Sequence, residues 1–176
     1  MNLCVIGHGR HGKDTVAEYI SELWPGFTYA YGTSWYAKDI VCDKFFAGSP
    51  DLRAAYNTEI FWQDRHAHRK FWFDTIRDYN ATDNGVALYK DCLREQNILT
   101  GIRKASELYE LKKQGIVDCT LWVERDGWPL EAIETMELDK CDADFTIEND
   151  GTLVSLREKI SRMSRIFQGN RALLPS

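Results

Sequence analysis

Hydrophobic and polar residues alternate along the chain in a pattern that predicts buried strands separated by amphipathic helices. Short apolar, aromatic or β-branched runs, typical of strands, lie at 2–6, 27–31, 97–102, 117–123 and 144–148. Runs with apolar residues three or four positions apart, typical of helices, lie at 13–23, 35–46, 59–79, 84–96, 104–114 and 152–167. This order predicts an α/β fold with three layers (α/β/α) and a five-stranded, doubly wound parallel sheet.

The turn after the first predicted strand is rich in glycine and leads into the first predicted helix. Gly7, Gly12 and Lys13 match the spacing G-x-x-x-x-G-K. Glycines let the backbone curl so that successive N–H groups face an anion, and the helix N-terminus also favours negative charge. The sequence therefore predicts a phosphate-binding loop, and its members are Gly7, His8, Gly9, Arg10, His11, Gly12, Lys13, Asp14 and Thr15.

The residue after the lysine departs from the usual motif, which has Ser or Thr there as a magnesium ligand. This chain has Asp14, followed by Thr15. A carboxylate is a good magnesium ligand, so Asp14 can coordinate the ion directly or through water. Alternatively, Asp14 favours the helix N-terminus electrostatically while Thr15 serves the metal. Both interpretations remain open on the sequence.

The segment 59–79 combines aromatic residues with arginines. We expect one long helix in which Arg65 and Arg69 share a face, because they lie four residues apart. Arginines in such a position suit bidentate phosphate binding. A solvated basic face, with Asp64 and Asp74 as local partners, is the alternative. Aromatic residues at helical spacing are usually core, and one that faced the cleft would stack on a base.

Composition and charge narrow the classes of function. The 176 residues, 44% of them hydrophobic, suit a single domain over 1–176 with a core of its own. We find no apolar run of membrane-spanning length, no signal-peptide pattern and no C-x-x-C pair among the five cysteines. We therefore expect a cytoplasmic protein with no membrane partner. The net charge of −5 disfavours unspecific adhesion to nucleic acid but leaves room for a local basic cleft.

Four stretches spread along the chain carry a family resemblance. They are Gly12-Lys13-Asp14-Thr15, Ile102-Arg103 with Glu107 following, Val123-Glu124-Arg125-Asp126-Gly127, and the run from Ala143 to Thr152. Together they resemble the P-loop nucleotide kinases, most closely the phage-type deoxynucleoside monophosphate kinases. The resemblance covers the first 40 and the last 80 residues and implies the P-loop NTPase (nucleotide kinase-like) fold. It makes 45–95 the helical acceptor-binding and lid insertion, and the mixed character of 126–141 makes that segment a candidate mobile loop.

The resemblance implies that a phosphoryl group is transferred from ATP, with Mg²⁺ as cofactor, to a nucleotide. The candidate catalytic residues are Lys13, Asp14, Asp39, Arg69 and Arg103. The candidate nucleotide-binding residues are those of the loop 7–15 together with Arg125. The candidate substrate-binding residues are Ser34, Trp35, Lys38, Arg65 and Arg69. The candidate metal ligands are Asp14 and Thr15.

Two positions depart from the family's pattern. The family has Asp before the final Val-Arg of its third strand, where this chain has Gly101. A carboxylate usually near magnesium is thus missing, and Asp14 is a candidate replacement. The segment 32–39 resembles its acceptor-binding counterpart only loosely. Arg103 also has an alternative role, because Glu107 lies four residues on and the two can form a structural pair.

Three hypotheses of function follow. The first is a deoxynucleoside monophosphate kinase. The second comes from a further resemblance, to phage P-loop kinases that phosphorylate hydroxymethylpyrimidine bases such as 5-hydroxymethyluracil in DNA. A hydroxyl acceptor needs a general base, for which Asp39 and Asp64 are available, and the aromatic, arginine-rich middle suits base stacking. The third is a nucleotide-binding module without catalysis, for which Gly101 is the best support. The expected partner is a nucleotide or modified DNA in the cytoplasm, which is the host cytoplasm if the protein is phage-encoded, and a homodimer is a candidate assembly.

Overall fold

The computed structural model describes residues 1–171, with side chains up to residue 165. Its centre is a parallel sheet with the strand order β2-β1-β3-β4. The strands are β1 (Leu3–Ile6), β2 (Ile98–Thr100), β3 (Cys119–Glu124) and β4 (Phe145–Glu148). β1 lies between its two neighbours, with Leu3 opposite both Ile98 and Cys119. The α/β class and the parallel sheet are thereby confirmed.

The predicted strand at 27–31 is extended but joins no sheet, so the described chain has four strands instead of five. Side-chain amides make most of the hydrogen bonds that this segment would otherwise make with the backbone of a neighbouring strand. Gln96 accepts from the backbone N–H of Tyr31 (3.2 Å) and donates to its carbonyl (3.1 Å), and Asn97 Oδ1 accepts from the N–H of Thr28 (2.8 Å). Because side chains replace a backbone ladder, the segment follows the sheet edge without becoming a strand.

Nine α-helices surround the sheet in the described part of the chain. They are α1 (Lys13–Leu23), α2 (Thr33–Tyr36), α3 (Lys38–Phe45), α4 (Pro50–Ala55), α5 (Thr58–Gln63), α6 (Arg69–Asn80), α7 (Ala87–Cys92), α8 (Ala105–Lys113) and α9 (Leu153–Arg171). The predicted helix at 35–46 is therefore two helices, and the one at 84–96 is shorter than expected. None of these helices, within residues 1–171, combines the length and apolar character that crossing a membrane requires.

The two faces of the sheet carry separate hydrophobic cores. Successive residues of a strand point to opposite faces. Accordingly, Leu3 and Val5 join the core that contains Ile20 of α1 and Ile160 of α9. Their neighbours Cys4 and Ile6 join the core that the middle helices form on the other face. This arrangement is compatible with a three-layer α/β/α architecture.

The predicted long helix at 59–79 is broken. α5 ends at Gln63, a short 3-10 turn spans 64–66, and α6 begins at Arg69. In one continuous helix, Phe61 and Trp72 would lie about 16 Å apart along the axis. Their ring centroids are instead 5.7 Å apart, because both rings belong to the same core. The break brings them together, and Arg65 and Arg69 consequently do not share a helical face.

Candidate functional site

The glycine-rich loop follows β1 and requires glycine at two of its positions. Gly7 has φ 144° and Gly12 has φ 91°, and Arg10 also has a positive φ of 66°. A Cβ on Gly7 would collide with the carbonyl oxygen of Val123 in the adjacent strand. A Cβ on Gly12 would collide with the side-chain amide of Asn149. Backbone conformation and close approach thus both select glycine here.

Two histidines fasten the loop to the segments that follow β3 and β4. His11 Nδ1 accepts a hydrogen bond from the N–H of Arg125 (3.2 Å), and the side chain of Asn149 donates to the His11 carbonyl (2.9 Å). His8 Nδ1 accepts from the N–H of Glu131 (3.2 Å). Burial and the neighbouring His11 lower the pKa of His8 below its ordinary value, which favours the neutral ring that can accept this bond.

Lys13 lies across the loop at the first turn of α1. Its ammonium group donates to the carbonyl of His8 at 2.7 Å. Burial, followed by the positive charge of Arg103, lowers the pKa of Lys13 to about 8. Lys13 and Arg103 are therefore close enough to repel each other, at the same edge of the sheet. Two like charges held together in this way favour an anion between them.

A carboxylate lies against this loop. The N–H of Gly9 donates to Glu131 Oε2 (2.6 Å), while Arg103 and Arg69 donate to Oε1 (2.6 Å and 2.8 Å). The Glu131 side chain is only 14% exposed. Burial by itself raises the pKa of Glu131, but the hydrogen bond and charge of Arg103 outweigh it, so the pKa lies below its ordinary value. The site thus holds the ionised carboxylate of Glu131 between a backbone amide and two guanidinium groups.

Further cations lie near His66, in the 3-10 turn between α5 and α6. The charge of Arg65, then burial, then the charges of Arg69 and Arg10 lower the pKa of His66. Three guanidinium groups from the loop and the broken helical segment are therefore within electrostatic range of one imidazole. The predicted arginines Arg65 and Arg69 do approach the loop, although through the 3-10 turn rather than along one helical face.

Asp14 is held by a small hydrogen-bond cluster at the start of α1. Its Oδ1 accepts from the hydroxyls of Tyr29 (2.6 Å) and Thr100 (3.0 Å), and these two hydroxyls lie 3.2 Å apart. Asp14 is exposed and the adjacent Thr15 is half-buried. Within the described residues, no group of three or more His, Cys, Asp or Glu side chains could hold a metal. Mg²⁺ commonly binds one or two carboxylates together with substrate phosphates, so the single carboxylate of Asp14 is the kind of ligand that this ion would need here.

The structure explains why position 101 is occupied by glycine, which the sequence alone did not. Its φ is 94°, and a Cβ there would lie 2.8 Å from Thr33 Oγ1. Thr33 in turn donates a hydrogen bond to the carbonyl of Thr100. A carboxylate at position 101 would therefore require both a strained backbone and the displacement of Thr33.

Arg103 does not form the alternative pair with Glu107. Glu107 is buried and accepts hydrogen bonds from Tyr89 (2.7 Å) and Asn80 (3.2 Å). Arg103 bonds to Glu131 and, at 3.3 Å, to the carbonyl of Thr135. Arg103 consequently faces the loop, as the candidate catalytic role requires.

Four of the five predicted substrate-binding residues meet around two tryptophans, and the fifth, Arg69, binds Glu131 instead. Trp35 stacks on Tyr31 with ring centroids 4.4 Å apart, and Lys38 Nζ lies 4.3 Å from the Trp35 ring centroid. Trp62 meets Trp35 edge-on at 5.0 Å. The Trp62 Nε1–H donates to Ser34 Oγ at 3.4 Å. The result is an aromatic surface flanked by a cation.

Arg65 completes this surface. Its guanidinium carbon lies 4.1 Å from the Trp62 ring centroid, and Nη1 donates to the Trp62 carbonyl (3.0 Å). Burial lowers the pKa of Arg65, while the charge of Asp14 raises it. Arg65 therefore belongs to the aromatic surface and lies within electrostatic range of Asp14. Trp62 was not predicted as a site residue, because aromatic residues at helical spacing, such as Trp62 and its neighbours, are usually part of the hydrophobic core.

Two candidate residues have other surroundings. Asp39 forms ion pairs with Lys38 (3.4 Å) and Arg53 (3.7 Å), and its described contacts include no loop residue. The Arg125 guanidinium lies 4.2 Å from the Trp128 ring centroid, while its backbone N–H bonds to the loop. Glu131, Tyr29 and Asn149 were not predicted, because their loop contacts join positions far apart in the chain.

A scan against models of protein families returns no match for this chain, and a search of curated proteins returns none either. The class of protein therefore rests on the fold and the site. They define an α/β protein with a parallel sheet, whose glycine-rich loop holds a carboxylate among cationic groups.

Proposed function

We propose that this protein is a P-loop kinase, an enzyme that transfers a phosphoryl group from ATP to a nucleotide. One observation carries the proposal: the Gly9 amide, Arg69 and Arg103 converge on a single carboxylate beside Lys13. Carboxylates and phosphates are bound by the same donors, namely backbone amides at helix N-termini and guanidinium groups. This loop therefore suits the polyphosphate of ATP.

Each group of the site has a role in this proposal. The loop amides and Lys13 bind the β- and γ-phosphates. Asp14 or Thr15 would hold Mg²⁺, and the ion would supply positive charge that offsets the negative charge of the phosphates. Arg103 and Arg69 stabilise the charge that develops on the transferred group, a contribution of about 10³–10⁵ in rate for a single arginine in related chemistry.

The leading acceptor is a deoxynucleoside monophosphate. Its phosphate is already ionised, so it needs positioning more than a general base. The aromatic surface of Trp35 and Trp62 supplies a face for the base. Lys38 and Arg65, which lie over these rings, supply cations for the acceptor phosphate.

A second candidate acceptor is a hydroxymethylpyrimidine base in DNA. Exposure favours it, since Tyr31, stacked on Trp35, is 47% exposed, and Arg10 is also exposed near the loop. Such a surface suits a strand that stacks bases on aromatic rings and pairs its phosphates with arginines. The ion pairs of Asp39 with Lys38 and Arg53 weaken its candidacy as the general base for this reaction.

The test is phosphoryl transfer from labelled ATP. The protein is offered each deoxynucleoside monophosphate and, separately, DNA that contains 5-hydroxymethyluracil. Transfer to a monophosphate supports the first acceptor. Transfer to DNA, falling steeply as salt is added, supports the second. ATP binding without transfer to any acceptor would favour the non-catalytic module.

The matched variants are Lys13→Ala and Lys113→Ala. Lys113 is an exposed lysine of α8 that pairs with Glu110. Lys13→Ala should abolish transfer while leaving the far-ultraviolet circular dichroism spectrum unchanged, and Lys113→Ala should retain full activity. Full kinase activity in Lys13→Ala would contradict the proposal.

A further inference from the structure

We propose that Glu131 is a built-in competitor of the nucleotide phosphates, so that the segment around it is a plug that ATP must displace. This inference rests on the proposed function. The plug segment is defined here as residues 126–135. It lies within the segment that the sequence marked as a candidate mobile loop.

The plug segment is anchored at both ends and exposed in between. On its N-terminal side, the N–H of Arg125 bonds to His11, and on its C-terminal side Met136 is buried in the core. Between them, Leu130 and Ile133 are each 73% exposed. Glu131 is the exception, since its side chain is 14% exposed and turns inward. A segment with few buried contacts opens at low cost, which leaves the Glu131 contacts as its principal tie to the loop.

The Glu131 carboxylate uses the donors that a phosphate would need. Oε2 takes the Gly9 amide, and Oε1 takes Arg69 and Arg103 together. A Cβ on Gly9 would lie 3.2 Å from this carboxylate, so the group lies directly against the loop backbone. A phosphate oxygen cannot occupy the same place. Carboxylate and phosphate therefore exclude each other from this position.

A tethered anion competes at high effective concentration. The apparent affinity for ATP is then the intrinsic affinity multiplied by the fraction of molecules in which the plug is open. Removing the negative charge of Glu131 should raise that fraction. The device would keep the loop closed to weak anions and open it for a polyphosphate, which makes more contacts.

The test compares Glu131→Gln with Glu134→Gln. Glu134 belongs to the same segment and is exposed, so its change alters the charge equally without touching the loop. ATP and inorganic pyrophosphate are titrated into the wild type and both variants by calorimetry. Glu131→Gln should bind both ligands at least about tenfold more tightly than the wild type. Glu134→Gln should match the wild type.

Each other outcome overturns the inference in a different way. Equal affinities in all three proteins would contradict the proposal that Glu131 competes with phosphate, but would leave the proposed nucleotide site unaffected. Weaker binding by Glu131→Gln would make Glu131 a positioning residue for Arg103 instead. Failure of all three to bind ATP or pyrophosphate would overturn the proposed function, and the plug with it.

A second measurement needs no variant. The backbone N–H of Glu131 bonds to His8 Nδ1 in the closed state. In the wild type, ATP should speed hydrogen exchange of peptides that cover 128–135 and slow it in those that cover 8–14. Unchanged or slower exchange at 128–135 in the ATP-bound protein would contradict displacement of the plug.

Discussion

The hydroxyl of Tyr29 donates a 2.6 Å hydrogen bond to Oδ1 of Asp14. Burial and the charge of Asp14 raise the pKa of Tyr29 well above its ordinary value, so the phenol keeps its proton throughout the physiological range. Tyr29 belongs to the extended segment 27–31, which joins no sheet. Through Tyr29, this segment orients the Asp14 carboxylate, next to Lys13 in the chain. Asp14 is fixed by a neighbour that lies fifteen positions away in the chain.

Replacing Tyr29 with Phe should weaken magnesium use if Asp14 is a ligand. Loss of an outer hydrogen bond typically costs 10- to 100-fold in metal affinity, so we expect the Mg²⁺ concentration for half-maximal kinase rate to rise about tenfold. The free energy of unfolding should fall by about 1 kcal/mol. Tyr109→Phe, at an exposed position, is the control. An unchanged Mg²⁺ titration would assign the metal to Thr15.

ATP binding should weaken as pH rises above about 8, because Lys13 has a pKa of about 8 in the ligand-free protein. Below that pH the ammonium is charged and attracts phosphate, and above it the charge is lost. Isothermal titration between pH 7 and 9.5 measures the effect, which should approach about tenfold per pH unit at the upper end. In Lys13→Arg the decline should disappear, since a guanidinium keeps its charge over this range. A wild-type affinity that stays constant to pH 9.5 would count against phosphate contact by Lys13.

The lowered pKa of Lys13 also affects stability: ATP affinity should fall as pH rises, but the contribution of Lys13 to the free energy of unfolding should increase. An unfolded lysine titrates near pH 10.4, so between about pH 8 and that value the unfolded state binds more protons than the folded state. The contribution of Lys13 to the free energy of unfolding therefore increases as pH rises through this window. Urea unfolding of the wild type and Lys13→Met, compared at pH 8 and 10, isolates that contribution.

Gly101→Asp should destabilise the protein instead of restoring the carboxylate that the family resemblance places there. The φ of 94° is strained for any side chain, and Thr33 fills the space. We expect the free energy of unfolding to fall by about 1–3 kcal/mol from backbone strain, with a further loss from the clash. Gly26→Asp is a matched control, since Gly26 has φ 83° with open space around it. An equal loss in both variants would show that the contact with Thr33 contributes nothing.

Glu107→Ala should be strongly destabilising although Glu107 is not part of the site. The change leaves the Tyr89 hydroxyl and the Asn80 amide, both buried, without an acceptor. Each such group costs about 1–3 kcal/mol, so the loss of both acceptors should lower the free energy of unfolding by about 2–6 kcal/mol. Urea denaturation measures it, with Glu110→Ala on the same helix as the control. A loss no larger than that of the control would contradict the assigned network.

The stability that Glu107 provides should also depend on pH. Burial raises its pKa above the ordinary value, so the folded state favours the protonated acid. The contribution is present in full below the ordinary pKa and is lost as pH rises through the raised one. The difference in unfolding free energy between the wild type and Glu107→Ala should therefore shrink as the pH rises above the ordinary glutamate pKa.

The sequence by itself determined what depends on neighbouring residues. The spacing of apolar positions predicted α1 over 13–23, where the structure has Lys13–Leu23, and it located all four strands that form the sheet. The glycine-rich turn could also be predicted, because the positive φ angles of Gly7 and Gly12 are a local requirement of the backbone. Period and spacing are sufficient for such features, since the interactions that produce them join residues a few positions apart.

Only the tertiary structure decided the features that depend on distant partners. Residues 27–31 lack a ladder because Gln96 and Asn97 supply side-chain hydrogen bonds in its place. The long helix breaks because Phe61 and Trp72 enter one core. Glu131 reaches the Gly9 amide across 122 positions of sequence. No local pattern records such a contact, because its energy arises from two groups that meet only when the sheet and its helices have assembled.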